Sequence, residues 1–400
     1  MPKTPRSSPP VSQSQSDEDE PLDRPPTPTP VPKPASAETP KPTVVKSSSS
    51  AGKKTLPKWL WMAVAGAAVL IVAGVVGWKI FGGTSSPTVN SNPAADAANE
   101  ILVARLLDGV PVLAEKSNSN IYAIVIENIV ESRPPSALDK ASVVYETLAE
   151  GGITRFLTLY PVGDSISQIG PVRSARPYFI SWAEEYKPLF VHAGGSPQAI
   201  DYLRSGKANV YDFNQFSHGG NFIRDDTRPA PHNLYTDSDK LFMGLRRTAP
   251  DATPTYTSWT FKDEAPIDAR PTTVNDVVID FSSFNYKVTY AYDRVQNRYQ
   301  RLVAEKPHLT RENNQIYAKD VVVEFAKIGL VAGDKQRLDI QTVGSGKLLL
   351  FRDGTVTEGT WKKDSPTART QFLDTGGNPL ALNPGPIWIE VVPTDRKVTY

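Results

Sequence analysis

A run of twenty residues from Trp59 to Trp78, WLWMAVAGAAVLIVAGVVGW, carries no charge. As a helix it is about 30 Å long, which matches the hydrocarbon thickness of a bilayer. Trp59, Trp61 and Trp78 stand at its two ends, where indole rings prefer the membrane interface. A core helix of this length keeps a polar face, and a signal peptide does not follow a long polar tail. Residues 57–81 are therefore expected to form a single-pass transmembrane helix in contact with the lipid bilayer. The rest of the chain must fold on one side of it or the other.

Positive charge assigns the sides. Lys41, Lys46, Lys53, Lys54 and Lys58 precede the run, whereas after Lys79 the next cation is Arg105. Positive flanks stay in the cytoplasm, so the N-terminus is expected inside and the C-terminal part outside. Residues 1–56 hold thirteen prolines in their first fifty positions, mixed with Ser, Thr and Lys. Such a composition buries too little to offset folding entropy, and a disordered cytoplasmic tail follows. Its TPTPVPKP stretch favours an extended polyproline helix, a surface for protein partners that recognise proline. Residues 82–99, rich in Gly, Ser, Asn and Ala, read as a flexible linker.

From residue 100 onward the composition is globular. NIYAIVIENI, ITRFLTLYPV and PLFVHAGGS read as strands from their alternation and β-branched content. SALDKASVVYETLAEGG shows three- and four-residue apolar spacing, with Ser136 as cap and Gly151–Gly152 as stop, and predicts a helix. ARPYFISWAEEY places Tyr178, Phe179, Trp182 and Tyr186 on one helical stripe. SPQAIDYLRSG predicts a short helix with Ser196 as N-cap and Pro197 behind it. Residues 100–254 therefore read as an α/β (or α+β) domain. After it come short strands with turn signals, including a hairpin at RDGT, so residues 255–400 read as a mostly β domain. Trp259, Trp361 and Trp388 adjoin strand patterns and are assigned to the core. GSGK at 344–347 lacks P-loop spacing and reads as a turn.

The chain has no cysteine, so disulfides, thiolate metal sites, cysteine nucleophiles and a lipid-modified cysteine anchor are excluded. A net charge of +1 argues against a nucleic-acid coat. With only four histidines, no metal site is expected, and no nucleotide or hydrolase signature calls for a cofactor. The chemistry that remains lies between Glu146 and Asn233. In HAGGSP, His192 ends a strand, Gly194 and Gly195 let the backbone approach closely, and Ser196 opens a helix, which is a generic anion site. In IGPVRSARPYF, Arg173 and Arg176 flank Ser174 at another helix start, where cations oppose the helix dipole unless they face an anion. The loop NFIRDDTRPAPHNLYTD adds Arg224, His232 and Asn233. An anion-binding cleft would draw on Arg173, Ser174, Arg176, Gly194, Gly195, Ser196, Arg224 and Asn233. His192 and His232 are its candidate acid and base. Internal ion pairs, with Glu146, Glu150, Asp201 or Asp225 as partners, are the competing assignment for the arginines.

Six segments, YETLAEGGITRFLTLY, IGPVRSARPYF, HAGGSP, RPAPHNLYT, TVGSGKLLLFRDGTVTEGTW and LNPGPIWIEVVP, occur in one order over 101–395. Together they resemble the YerB-like family of bacterial lipoproteins, a two-domain family of unknown function. The resemblance implies a bacterial, membrane-anchored protein with an extracytoplasmic body. The chain departs from the pattern by lacking a lipobox cysteine, by Asp320 where an asparagine is usual, and in KPHLTRENN after His308.

Two functions of different class stand at this point. One is an envelope protein whose first domain binds an anionic ligand, such as a wall polymer, nucleotide or phosphodiester, with metal-independent hydrolysis as its enzymatic version. The other is a non-catalytic scaffold or adaptor whose arginines are paired internally.

Overall fold

The computed structural model describes residues 101–400; the tail, transmembrane run and linker expected over 1–99 lie outside the described residues. Among the described residues no helix is long and apolar enough to cross a membrane. In chain order the main elements begin with strands β1 (Ile121–Glu127), β2 (Val143–Leu148) and β3 (Thr154–Pro161), then helix α1 (Pro177–Ala183) and strand β4 (Leu189–His192). Helix α2 (Pro197–Arg204), strand β5 (Tyr211–Asn214) and helix α3 (Ser238–Thr248) complete the first half. The second half holds β6 (Val277–Asp280), β7 (Lys287–Asp293), β8 (Arg298–Val303), β9 (Asp320–Ala326), β10 (Gly344–Arg352), β11 (Thr355–Lys363), β12 (Gln371–Asp374) and β13 (Ile387–Pro393). The described residues are thus mostly β with few helices, and their α-helices belong to the first half.

Ten of these strands form one sheet in the order β12–β11–β10–β9–β13–β2–β3–β1–β4–β5. The late strand β13 lies parallel between β9 and β2, with Trp388 opposite both Val321 and Val144. Every residue of β1, β2, β3 and β9 is buried. Such runs are near-continuously apolar because both faces of the sheet are covered. Period-2 alternation sorts them: Ile121, Ala123 and Val125 join the core under α1 and α2, whereas Tyr122, Ile124 and Ile126 join the opposite one. That opposite core is closed by Leu241 and Leu245 of α3 and by the antiparallel β6–β7–β8 sheet.

Helices α1 and α2 form where the sequence places them, and the Ser196 hydroxyl accepts the Ala199 N–H as the cap. Trp259, Trp361 and Trp388 are core residues. The hairpin between β10 and β11 turns at Asp353 and Gly354, both with positive φ, as a two-residue type I′ turn requires. Two expectations fail. Residues 143–148 are a central strand and not a helix, because β3 and β13 supply hydrogen-bond ladders on both sides. Their Val-Val-Tyr-Glu-Thr-Leu run suits a pleat as well as a helical stripe. GSGK is not a turn: it opens β10, and Gly346 is there because a Cβ would lie 2.4 Å from the Phe325 carbonyl oxygen.

Candidate functional site

The two glycine- and arginine-containing turns expected at the site do lie side by side. Ala175 forms a parallel bridge to Gly195. The Ala193 N–H donates to Arg173 O, the Ala175 N–H to Gly194 O and the Ser196 N–H to Ala175 O, at 2.9–3.1 Å. Gly194 N–H donates to the Asn214 side chain. A glycine-rich turn binds an anion only with N–H groups left free. Here four of those groups are spent on joining the two turns and on β5, which the local sequence does not reveal.

Arg173 points to Glu127, the last residue of β1, with Nε 2.7 Å from Oε1. Glu127 is 3% exposed and accepts on its other oxygen from His232 Nδ1 at 2.9 Å. Glu127 was not among the expected partners, since it closes a strand without any nearby basic pattern. The histidines do not meet as an acid–base pair. His192 is fully buried, with Nδ1 2.7 Å from Gly194 O and Nε2 2.7 Å from Asp212. Each ring is held by a different carboxylate.

Arg176 is the N-cap residue of α1 and forms a two-pronged contact with Glu150, at 2.5 and 2.7 Å. Burial alone would raise the Glu150 carboxyl, but Arg176 outweighs it and holds the group below its ordinary value. Arg155, close in sequence to Glu150, donates to Ser174 O. Burial, then repulsion from Arg176, pulls its guanidinium down to about 10. Ser174, Arg176, Gly195 and Ser196 line a cavity of about 410 Å³. Its other wall is a β-hairpin tip of the second half, where Arg337 pairs with Asp334 and donates to Gln198 at 2.8 Å.

The 221–237 loop is tied down rather than open. Arg224 donates to the Asn233 side-chain oxygen at 2.8 Å, and Asn233 donates to Asp225 O. Asp225 pairs with Arg311, and Arg228 donates to the Ser132 and Pro134 carbonyls. Of the expected site residues, four share the cavity. Arg173 and His232 meet at Glu127, Arg224 and Asn233 meet each other, and His192 is enclosed.

A family profile described as "Protein of unknown function (DUF3048) N-terminal domain" matches residues 107–251, and its C-terminal counterpart matches 277–389. The chain belongs to the DUF3048 family. "Putative lipoprotein YerB" of Bacillus subtilis (strain 168) is 33% identical over 291 residues, covering 72% of this chain and 85% of that one. The crystal structure of the YerB protein superposes with a TM-score of 0.66 at 30% identity, over 74% of this chain and all of the other. The YerB-like resemblance carried by the six segments is thereby established.

In this DUF3048 protein nothing in the local sequence marks Arg337 as part of a cavity wall. Arg337 sits in an ordinary charged turn, GDKQR. Only the fold brings it within reach of Gln198, 139 residues away. Among the described residues, no group of three or more His, Asp or Glu side chains is placed to hold a metal ion.

Proposed function

We propose that this chain is a non-catalytic scaffold or adaptor of the bacterial cell envelope. It is tethered to the membrane through residues 57–81, with its proline-rich tail inside and residues 101–400 presented outside. The uncharged run, the lysines before it and the lipoprotein description of its YerB relative support the location. One observation carries the scaffold assignment: Glu127, buried, holds both Arg173 and His232, and Glu150 holds Arg176 bidentately. These groups join β1, the β2–β3 turn, the α1 start and the 221–237 loop. The alternative is an anion cleft or hydrolase built from the same residues, but Arg173, Arg176 and Arg337 each already face a carboxylate and Arg224 is turned to the Asn233 side chain. The tail is left to recruit proline-recognising partners.

Arg173→Ala tests the assignment. Glu127 would keep only His232, and a buried acceptor that loses a charged donor costs about 1–3 kcal/mol. A lowered Tm with unchanged binding of fractionated wall polymers is expected. Abolished polymer binding at unchanged Tm would refute the scaffold role. So would phosphodiester cleavage that His232→Ala removes.

A further inference from the structure

Away from those paired arginines lies a cavity of about 420 Å³ where the end of β9, the start of β10 and the segment after β13 meet. Its charged lining is Lys327, Lys347, Arg396 and Lys397, with no aspartate or glutamate among the lining residues. Phe325 and Tyr400 contribute rings to the same walls. Lys347 lies 3.4 Å from Glu358 on the open surface, both side chains more than half exposed, and 5.9 Å from the Phe325 ring centroid. Among the described residues no carboxylate lies within ion-pair distance of Lys327, Arg396 or Lys397. The Arg396 Nε is shielded from solvent and has no hydrogen-bond partner. The contrast with the other cavity is direct: there each arginine has its acid, whereas here three of the four cations have none and the fourth, Lys347, has only the exposed Glu358. An adjoining cavity, which shares Lys327 and Gln341 with this one, carries Asp339 and Asp395.

We propose that this cavity binds a phosphate ester. Like charges crowded around one hollow repel each other until an anion enters, and a shielded guanidinium N–H lacking an acceptor is completed by one. A guanidinium fork matches phosphate oxygens, and flexible lysines add point charges around it. The volume suits a small organic ligand more than a bare ion, with Phe325 and Tyr400 contacting its carbon skeleton. The same chemistry is offered by a soluble phosphate ester and by a phospholipid headgroup. The site is separate from the scaffold assignment: loss at Arg396 with binding retained in Arg173→Ala would leave both standing.

The test is calorimetric titration of the full chain in neutral detergent with inorganic phosphate, followed by competition. Glycerol 3-phosphate displacing phosphate identifies a soluble ester, and monomeric short-chain phosphatidylglycerol displacing it identifies a headgroup; either result supports the site. Arg396→Gln/Lys397→Gln is expected to weaken binding at least about tenfold at unchanged Tm. Lys327→Gln/Lys347→Gln, on the opposite wall, serves if the first pair fails to fold. Lys116→Gln/Lys207→Gln removes the same charge from exposed positions elsewhere and should leave affinity within about twofold. Three results would overturn the proposal: no saturable binding, equal weakening in cavity and control variants, or phosphate that neither ester displaces.

Discussion

Arg301→Met should be among the most damaging single substitutions in the described chain. Arg301 and Glu146 are both 0% exposed and form a salt bridge between the small sheet and the large one. Arg301 also donates from Nε to the Tyr290 hydroxyl at 3.2 Å and contacts His308 Nδ1. Its guanidinium lies 4.6 Å from the Trp388 ring centroid. Burial, then Arg301 itself, holds the His308 imidazole well below its ordinary value, so Nδ1 accepts the contact as a neutral ring. Glu390, beside Glu146 in register, is pushed well above the carboxylate range by burial and then by Glu146. A protonated Glu390 leaves one carboxylate and one guanidinium, a neutral pair. Removing Arg301 leaves Glu146 with only Asn128 and Thr154, at 3.2 and 2.6 Å. An uncompensated buried charge of this kind costs about 3–5 kcal/mol. Replacing both partners, as Glu146→Gln/Arg301→Met, keeps the Asn128 and Thr154 hydrogen bonds without the charge. The double variant should therefore be more stable than Arg301→Met by about 2–3 kcal/mol. Urea unfolding followed by tryptophan fluorescence and far-UV circular dichroism reads both values. A single-variant loss below about 1 kcal/mol, or a double variant less stable than the single one, would refute the buried-pair account.

Burial, then Glu185, pushes Glu324 up to about 8. Its raised folded value contributes stability below the unfolded carboxylate range that is lost as pH rises toward about 8, by on the order of 1.4 kcal/mol per pH unit. Glu324→Gln should remove that slope, so its Tm advantage over the parent chain grows from pH 5 to 8; a constant difference would contradict this. Asp320, fully buried and accepting the Asn383 N–H at 2.8 Å, is likewise raised well above its ordinary value by burial. Protonated, it imitates an asparagine, and Asp320→Asn should stabilise the chain at neutral pH and much less near pH 4. Gly346→Ala would place a methyl 2.4 Å from the Phe325 carbonyl oxygen and 2.6 Å from Trp361 Nε1. A loss of about 1–3 kcal/mol is expected in the same urea assay, because a backbone carbonyl cannot turn aside.

Where local pattern and environment agree, the sequence is legible. NIYAIVIENI alternates and becomes β1, and Ser196-Pro197 starts α2 with the hydroxyl in its capping role. Asp353-Gly354 forms the hairpin turn that its residue types demand. The 143–148 strand is different, since its apolar spacing satisfies two periods and its neighbours decide between them. One of those neighbours is β13, which accepts the Thr147 hydroxyl at Val391 O from 244 positions along the chain. At the candidate site, the residue types and one partner, Glu150 for Arg176, were legible, whereas the partner of Arg173 was not. Arg173 and Arg176 are positioned by carboxylates, but Glu127 could not be distinguished in sequence from the acids that stand elsewhere.

By itself, therefore, the sequence determined what depends on neighbours within a turn or two. This includes the uncharged run, the caps, the alternating strands and the two turns that carry arginine and glycine. Tertiary structure decided which charges are spent. Electrostatic pairing depends on distance in space, and the fold brings Glu127 to Arg173 and Glu146 to Arg301 across 46 and 155 positions. The same fold gathers Lys327, Lys347, Arg396 and Lys397 around one cavity with no acid in its lining.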